Sequence, residues 1–238
     1  MQITEQSKLS AMTTLEHVIH ETQAFLDRQG IRKPTPISPK NRRVFLSWTE
    51  EKIFAKAEIA RKMLDVHLQA EKEKIDLDDS TRLLEIALKA LHFAIDPSFY
   101  SMIDREDILE VYDSNHVQVF RSFNFFRTCT YNLDDVLAHE WYELYERNEA
   151  VTNEMLNSIS NHLDGNVNIS SFSTPPHLLR ERFSNEQATF MVRMKKLATI
   201  FSGPERKPAF ACTGTAKLVP GFGVDIMNRR SSRKAKQQ

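Results

Sequence analysis

The chain has 238 residues, 41% hydrophobic and 27% charged, enough to bury the core of one large domain or two small ones. Lys plus Arg and Asp plus Glu number 32 each, so no global field draws the chain toward nucleic acid or a membrane surface. No apolar run approaches the ~18 residues of a membrane span, and Met1-Gln-Ile-Thr-Glu-Gln-Ser7 lacks the basic-then-apolar design of a signal peptide. Two cysteines, Cys129 and Cys212, are too few for a disulfide scaffold and fit a reducing compartment, so a cytoplasmic protein is expected.

Leu15, Val18, Ile19, Phe25 and Leu26 fall on one helical face, and Gly30 supplies a stop because glycine accepts the left-handed conformation after a last turn. Residues 31–43, with Pro34, Pro36 and Pro39, predict an extended connector. Ser47-Trp-Thr-Glu50 has the capping-box pattern, and Ile53, Ala57, Ala60, Leu64 and Leu68 follow along one face of a helix. Asp78-Asp-Ser80 caps the next helix, running to about Ala94. Its apolar residues from Leu83 to Leu91 cover more than one face, which predicts burial between neighbours. Asp96-Pro97 ends it. Residues 1–104 thus read as a mainly helical N-terminal region.

After Asp104 the grammar changes. Val117 and Val119 alternate with Gln118 and Phe120, the period of two expected of a strand. Asp113-Ser-Asn115 supplies turn chemistry between this run and Ile108–Tyr112. Helices are predicted over Leu133–Tyr145 and Glu149–Leu163, a loop over 164–176 and a short helix over His177–Phe183. Strands are predicted at about 188–200, 208–219 and 222–227. The fold class is α+β.

Three blocks carry a family resemblance: the hairpin Ile108–Tyr112 with His116–Phe120; the run Tyr131-Asn-Leu-Asp-Asp-Val-Leu-Ala-His-Glu-Trp-Tyr-Glu-Leu-Tyr145; and Phe190–Leu197, Ala209–Gly214 and Gly221–Ile226. Over residues 105–230 they resemble a PAS domain, a sensor and interaction module. Phe190–Leu197 with Ala211–Gly214 is also similar to strands of basic helix-loop-helix PAS proteins. Thr130 stands where that pattern has Gly before the Tyr, Ser122 where it often has Asn, and the stretch Glu149–Pro175 is longer than in most members. The resemblance implies a five-stranded antiparallel sheet with covering helices. It implies a non-enzymatic protein that senses a small, apolar ligand or binds a partner, with output through a homo-oligomer or a protein partner. The amphipathic helices of residues 1–104 are the natural pairing elements. The alternative is a transcription-associated regulator that pairs through its PAS-like strands and touches nucleic acid with the basic tail, residues 231–238 and the arginines before it. Against nucleic acid, residues 1–104 contain no basic helix entering a helix-loop-helix.

Candidate cavity residues are Phe123, Phe126, Cys129, Trp141, His162 and His177. The aromatics either line an apolar pocket or are ordinary strand core. His162 and His177 are possible haem ligands in such a cavity, or simply loop histidines in polar company. Cys129 lies in Arg127-Thr-Cys-Thr-Tyr131, unlike the motif of flavin-binding PAS domains, and reads as a small buried hydrophobe, as does Cys212. No cofactor is nominated. His139-Glu-Trp-Tyr-Glu143 lacks the second histidine of a zinc-binding HExxH, and neither a P-loop nor a nucleophile elbow is present, so no catalysis is expected.

Overall fold

The computed structural model describes residues 2–164, 169–170, 173–202 and 207–219. Helix α1 (Gln2–Arg28) buries Leu15, Val18, Ile19, Phe25 and Leu26 and ends where Gly30 takes a φ of 69°. The connector predicted over 31–43 gives way to α2 (Pro39–Ser47). The Ser38 hydroxyl accepts from the Asn41 amide at 3.1 Å, and Pro39 sits at the first helical position, where its missing N–H costs nothing. Ser47 therefore closes α2, and Thr49 caps α3 (Glu50–Lys72) instead, accepting from the Lys52 amide at 3.3 Å. Asp79 caps α4 (Ser80–Ala90), which stops short of Ala94 because Phe93–Ile95 pairs as β1. A short 3-10 helix, Pro97–Met102, follows. No helix among the described residues is long and apolar enough to cross a membrane.

The hairpin forms as β2 (Ile108–Tyr112) and β3 (Gln118–Arg121). In its turn the Asp113 carboxylate accepts from the amides of Asn115 (2.8 Å) and Val117 (2.9 Å). Then come α5 (Phe123–Thr128) and α6 (Leu133–Ala138). The helix predicted over Leu133–Tyr145 breaks at Ala138, so that Tyr145–Arg147 can pair as β4. Helix α7 (Glu149–Leu163) leads to β5 (Ile169–Ser170), β6 (His177–Glu181), β7 (Thr189–Ser202) and β8 (Lys207–Leu218). The predicted helix at His177 is corrected to a strand: Leu178 and Arg180 point outward while Leu179 and Glu181 are buried, a period of two. The strand predicted at 222–227 and the basic run Arg229–Lys236 lie outside the described residues.

The sheet is antiparallel throughout, in the order β3-β2-β8-β7-β6-β4. The free edge of β7 is taken in turn by β6, β5 and β1, which keeps a 14-residue strand from exposing a row of unpaired amides. Alternation divides the sheet into two faces. Leu109, Val111, Phe120, Ala198, Ile200, Ala209 and Ala211 turn to α1, α3 and α4, whereas Tyr112, Leu197, Phe210 and Cys212 turn to α7 and Trp141. On the first face His67 of α3 stacks on Phe120 (5.5 Å, 23°), and Phe25 of α1 meets Phe123 edge-on at 5.8 Å. Helices and sheet share one core there, so the apolar stripe available for pairing with a second copy is buried against the chain's own sheet.

Candidate functional site

The α7 face of the sheet encloses a cavity of about 120 Å³. Its floor is set by strand register. Arg121 on β3 pairs with Glu110 on β2, Glu110 with Cys212 on β8, and Cys212 with Leu197 on β7. One row further on, Tyr112 pairs with Phe210, and their rings stack at 4.6 Å and 12°. Arg121 is 2% exposed. Its Nε lies 3.2 Å from Glu110 Oε1, and its guanidinium carbon sits 3.9 Å over the ring of Phe125. Glu110 also accepts from the Tyr112 hydroxyl (2.9 Å) and from Gln118 Nε2 (3.0 Å), and Gln118 donates to the same hydroxyl at 2.8 Å. The buried pair is therefore part of a network, as a desolvated ion pair must be to hold.

The opposite wall comes from α7, β4 and the turn before it. Met155 and Ile159 are the buried residues of α7 that line the cavity. The C-terminal end of that helix is tied to the sheet by His162, whose Nδ1 is 2.8 Å from Thr199 Oγ1. Arg147, at the end of β4, places its guanidinium 5.4 Å from the Trp141 ring and Nη1 3.9 Å from the Met155 sulfur. Leu179, Phe190 and Val192 extend the apolar lining toward a more open end, where His177, Arg193 and Thr215 are part-exposed or exposed. Gly214 is needed at that end. A bulge in β7 at Lys195 brings the chain so close that a Cβ on Gly214 would lie 2.9 Å from the Arg193 carbonyl oxygen. Lys195 is held outward by Asp107, whose carboxylate accepts from Nζ at 2.8 Å, and by Asp104.

Burial keeps the tyrosine and cysteine side chains of the lining neutral. It pushes the Tyr112 and Tyr145 hydroxyls and the Cys212 thiol well above their ordinary values, and the Cys129 thiol up to about 12. Burial also works against the charge on Arg121, but the Glu110 carboxylate offsets it and that guanidinium stays above its usual value. Arg147 has no carboxylate at ion-pair distance among the described residues, and burial lowers its pKa. The Nε of Arg147 and the indole Nε1 of Trp141 are buried without a hydrogen-bond partner, as is Nη1 of Arg121, whose Nε meets Glu110 at ion-pair distance but not in hydrogen-bond alignment. The buried Glu181 nearby is the opposite case: its carboxylate accepts from the Thr130 amide (2.7 Å), the Ser184 hydroxyl (2.5 Å) and the Ala188 amide (3.3 Å), as well as from the Thr130 hydroxyl.

Of the candidates named from the sequence, Cys129, Trp141 and His177 line this cavity. Phe123 and Phe126 do not. Phe123 belongs to the helical face beside Phe25 and His67, and Phe126 packs edge-on against Phe125 at 5.3 Å. His162 is buried beneath α7 and not among the lining residues, while His177 has its Nδ1 3.0 Å from the Pro175 carbonyl. An enclosed cavity of roughly 150 Å³ holds a benzene ring, so this one, about 120 Å³ and open at one end, is of the scale of a single small ring and far below that of a haem macrocycle. His139 stacks on Phe183 (3.7 Å, 8°) in a turn, not on a helix. The sequence reading missed Glu110, Arg121 and Arg147. Simple register would not have found the first two: a hairpin closing at Asp113–Val117 sets Glu110 opposite Phe120, and it is the irregularity between Val111 and Tyr112 that brings Arg121 opposite Glu110. No family model matches this chain, and no curated protein matches it.

Proposed function

We propose that this chain is a non-enzymatic sensor of PAS type, in which the cavity under α7 takes a small ligand and the response passes to a second copy or a partner protein by surface contacts. The observation that carries the reading is the cavity itself: apolar walls around a few buried polar groups are what a small-molecule site requires. Element order adds support. Between Ile108 and Leu218 the chain runs strand, strand, helices, then β6, β7 and β8, and these five strands are contiguous in the order β3-β2-β8-β7-β6. That is the succession the PAS resemblance implies, with β1, β4 and β5 added at the edges.

A ligand in this cavity touches α7 directly through Met155 and Ile159, so occupancy biases how that helix sits on the sheet. Because the stripes of α1, α3 and α4 are already buried, the helical layer reports any such change through its outer surface, where Leu9, Leu46 and Phe54 are exposed among polar residues. Native mass spectrometry of the intact chain, with an absorption spectrum, tests the reading. A co-purifying small molecule, or a one-to-one adduct formed on adding a single-ring compound, is the expected result. A chain that stays empty and unshifted in thermal stability against a broad panel of such compounds overturns it.

A further inference from the structure

The charged residues lining the cavity are three arginines, Arg121, Arg147 and Arg193, and one carboxylate, Glu110. Glu110 pairs directly with Arg121, whereas the part-buried Arg147 has no carboxylate at ion-pair distance among the described residues, and Arg193 stands at the exposed end. Protein interiors do not leave a guanidinium unpaired without cost, and the unused donors at Arg147 Nε and Trp141 Nε1 add to it. The tyrosine and cysteine side chains of the lining stay protonated, so none of them supplies that negative charge.

Resting on the sensor reading above, we propose that the ligand is a small carboxylic acid bearing one aromatic or branched apolar group, with its carboxylate held by Arg147 and the Trp141 indole N–H. The volume, about 120 Å³, sets the size at roughly one ring. A single negative charge matches Arg147, which lacks a carboxylate at ion-pair distance among the described residues. A doubly charged phosphate would bring a larger desolvation penalty into walls made of Ile108, Phe125, Ile159, Leu179, Phe190 and Val192. Planar, two-point recognition of a carboxylate is what guanidinium geometry favours.

Calorimetric titration of the full chain with benzoate, phenylacetate, benzamide and inorganic phosphate tests this. An acid is expected to bind at least about 10-fold tighter than benzamide, because a charge-assisted contact contributes that much. Arg147→Met should weaken the acid by roughly 10- to 100-fold and leave benzamide unchanged. If that variant fails to fold, Trp141→Phe, which keeps an aromatic ring and removes the N–H, should still weaken the acid selectively. Benzamide binding as tightly as benzoate overturns the carboxylate assignment while leaving the sensor reading intact. Phosphate binding in preference to either acid overturns it as well. Absence of binding by every compound, with the cavity also empty by native mass spectrometry, overturns the sensor reading on which it rests.

Discussion

The two faces of the sheet are built from the same strands and solve opposite problems. On the helical face, alternate residues from Leu109 to Ala211 meet α1, α3 and α4 with apolar side chains, and even the polar intruder, His67, stacks on Phe120 and bonds to the Met63 carbonyl at 2.8 Å. On the α7 face, the neighbouring residues of the same strands bring Glu110, Tyr112 and Arg121 inside and leave space between them and Met155. The lesson is that one face specifies the fold while the other keeps polar groups that packing alone would have removed. A side chain should therefore cost more to truncate on the first face than on the second.

The largest effect expected is from Phe120→Ala, which empties a fully buried, ring-stacked site and should lower stability by about 4 kcal/mol in urea denaturation. Phe210→Ala, equally buried but beside the cavity, should cost nearer 3 kcal/mol, because one side of that ring already lacks contact partners. Equal losses would break the contrast between the faces.

Acid should also attack the helical face first. Burial holds His67 at about 4, below its ordinary 6.5, so the unfolded chain binds a proton that the native chain refuses in that window. The stabilisation is complete above pH 6.5 and is lost as pH falls toward 4, amounting to about 3 kcal/mol from this group. Denaturant titrations of wild type and His67→Leu at pH 7 and pH 4 isolate it. The variant should lose less stability on acidification, and parallel losses would remove His67 from the explanation.

Much of the helical face was legible in the sequence, because its signals are local. The 3.6-residue stripe of α3, the Gly30 stop, the Asp79 cap and the Asp113 turn all sit within a few residues of what they specify. The α7 face was harder to read. His177-Leu-Leu-Arg-Glu181 is too short to separate a period of two from one of 3.6, and its strand character comes from partners on β7 and β4 that are distant in sequence. Arg121 and Arg147 look like surface residues to any composition rule, since only the closure of the sheet under α7 buries the first and part-buries the second. Trp141 and Cys129 were found because buried aromatic and thiol side chains announce themselves. Phe123 and Phe126 were misplaced by the same rule, which says that a side chain is inside but not on which side of the sheet.

Gly214 sharpens the comparison at intermediate size. Adding a methyl group presses on the Arg193 carbonyl, a backbone atom that moves only with the bulge, so Gly214→Ala should cost about 2 kcal/mol. It should also reshape the exposed end of the cavity. The check is to combine denaturation with binding of a single-ring compound. A variant of wild-type stability would mean that the bulge yields easily and that the strand spacing does not set the cavity.

The smallest expected change in stability belongs to the residue with the largest expected effect on binding, and that inversion is the sharpest test of the two-face contrast. Arg147 has no ion-pair partner whose charge would be stranded by its removal, and its guanidinium is kept in apolar company at a desolvation cost. Methionine retains the length of the chain stem against Trp141 and Met155 while removing the part-buried charge. Arg147→Met should therefore fall within about 1 kcal/mol of wild type, on the stabilising side if on either. Urea denaturation at neutral pH decides it. A loss of several kcal/mol would mean that the guanidinium props up the wall of the α7 face, making it part of the packing. An unchanged or raised stability would leave ligand binding as the reason for a cation that the fold does not need.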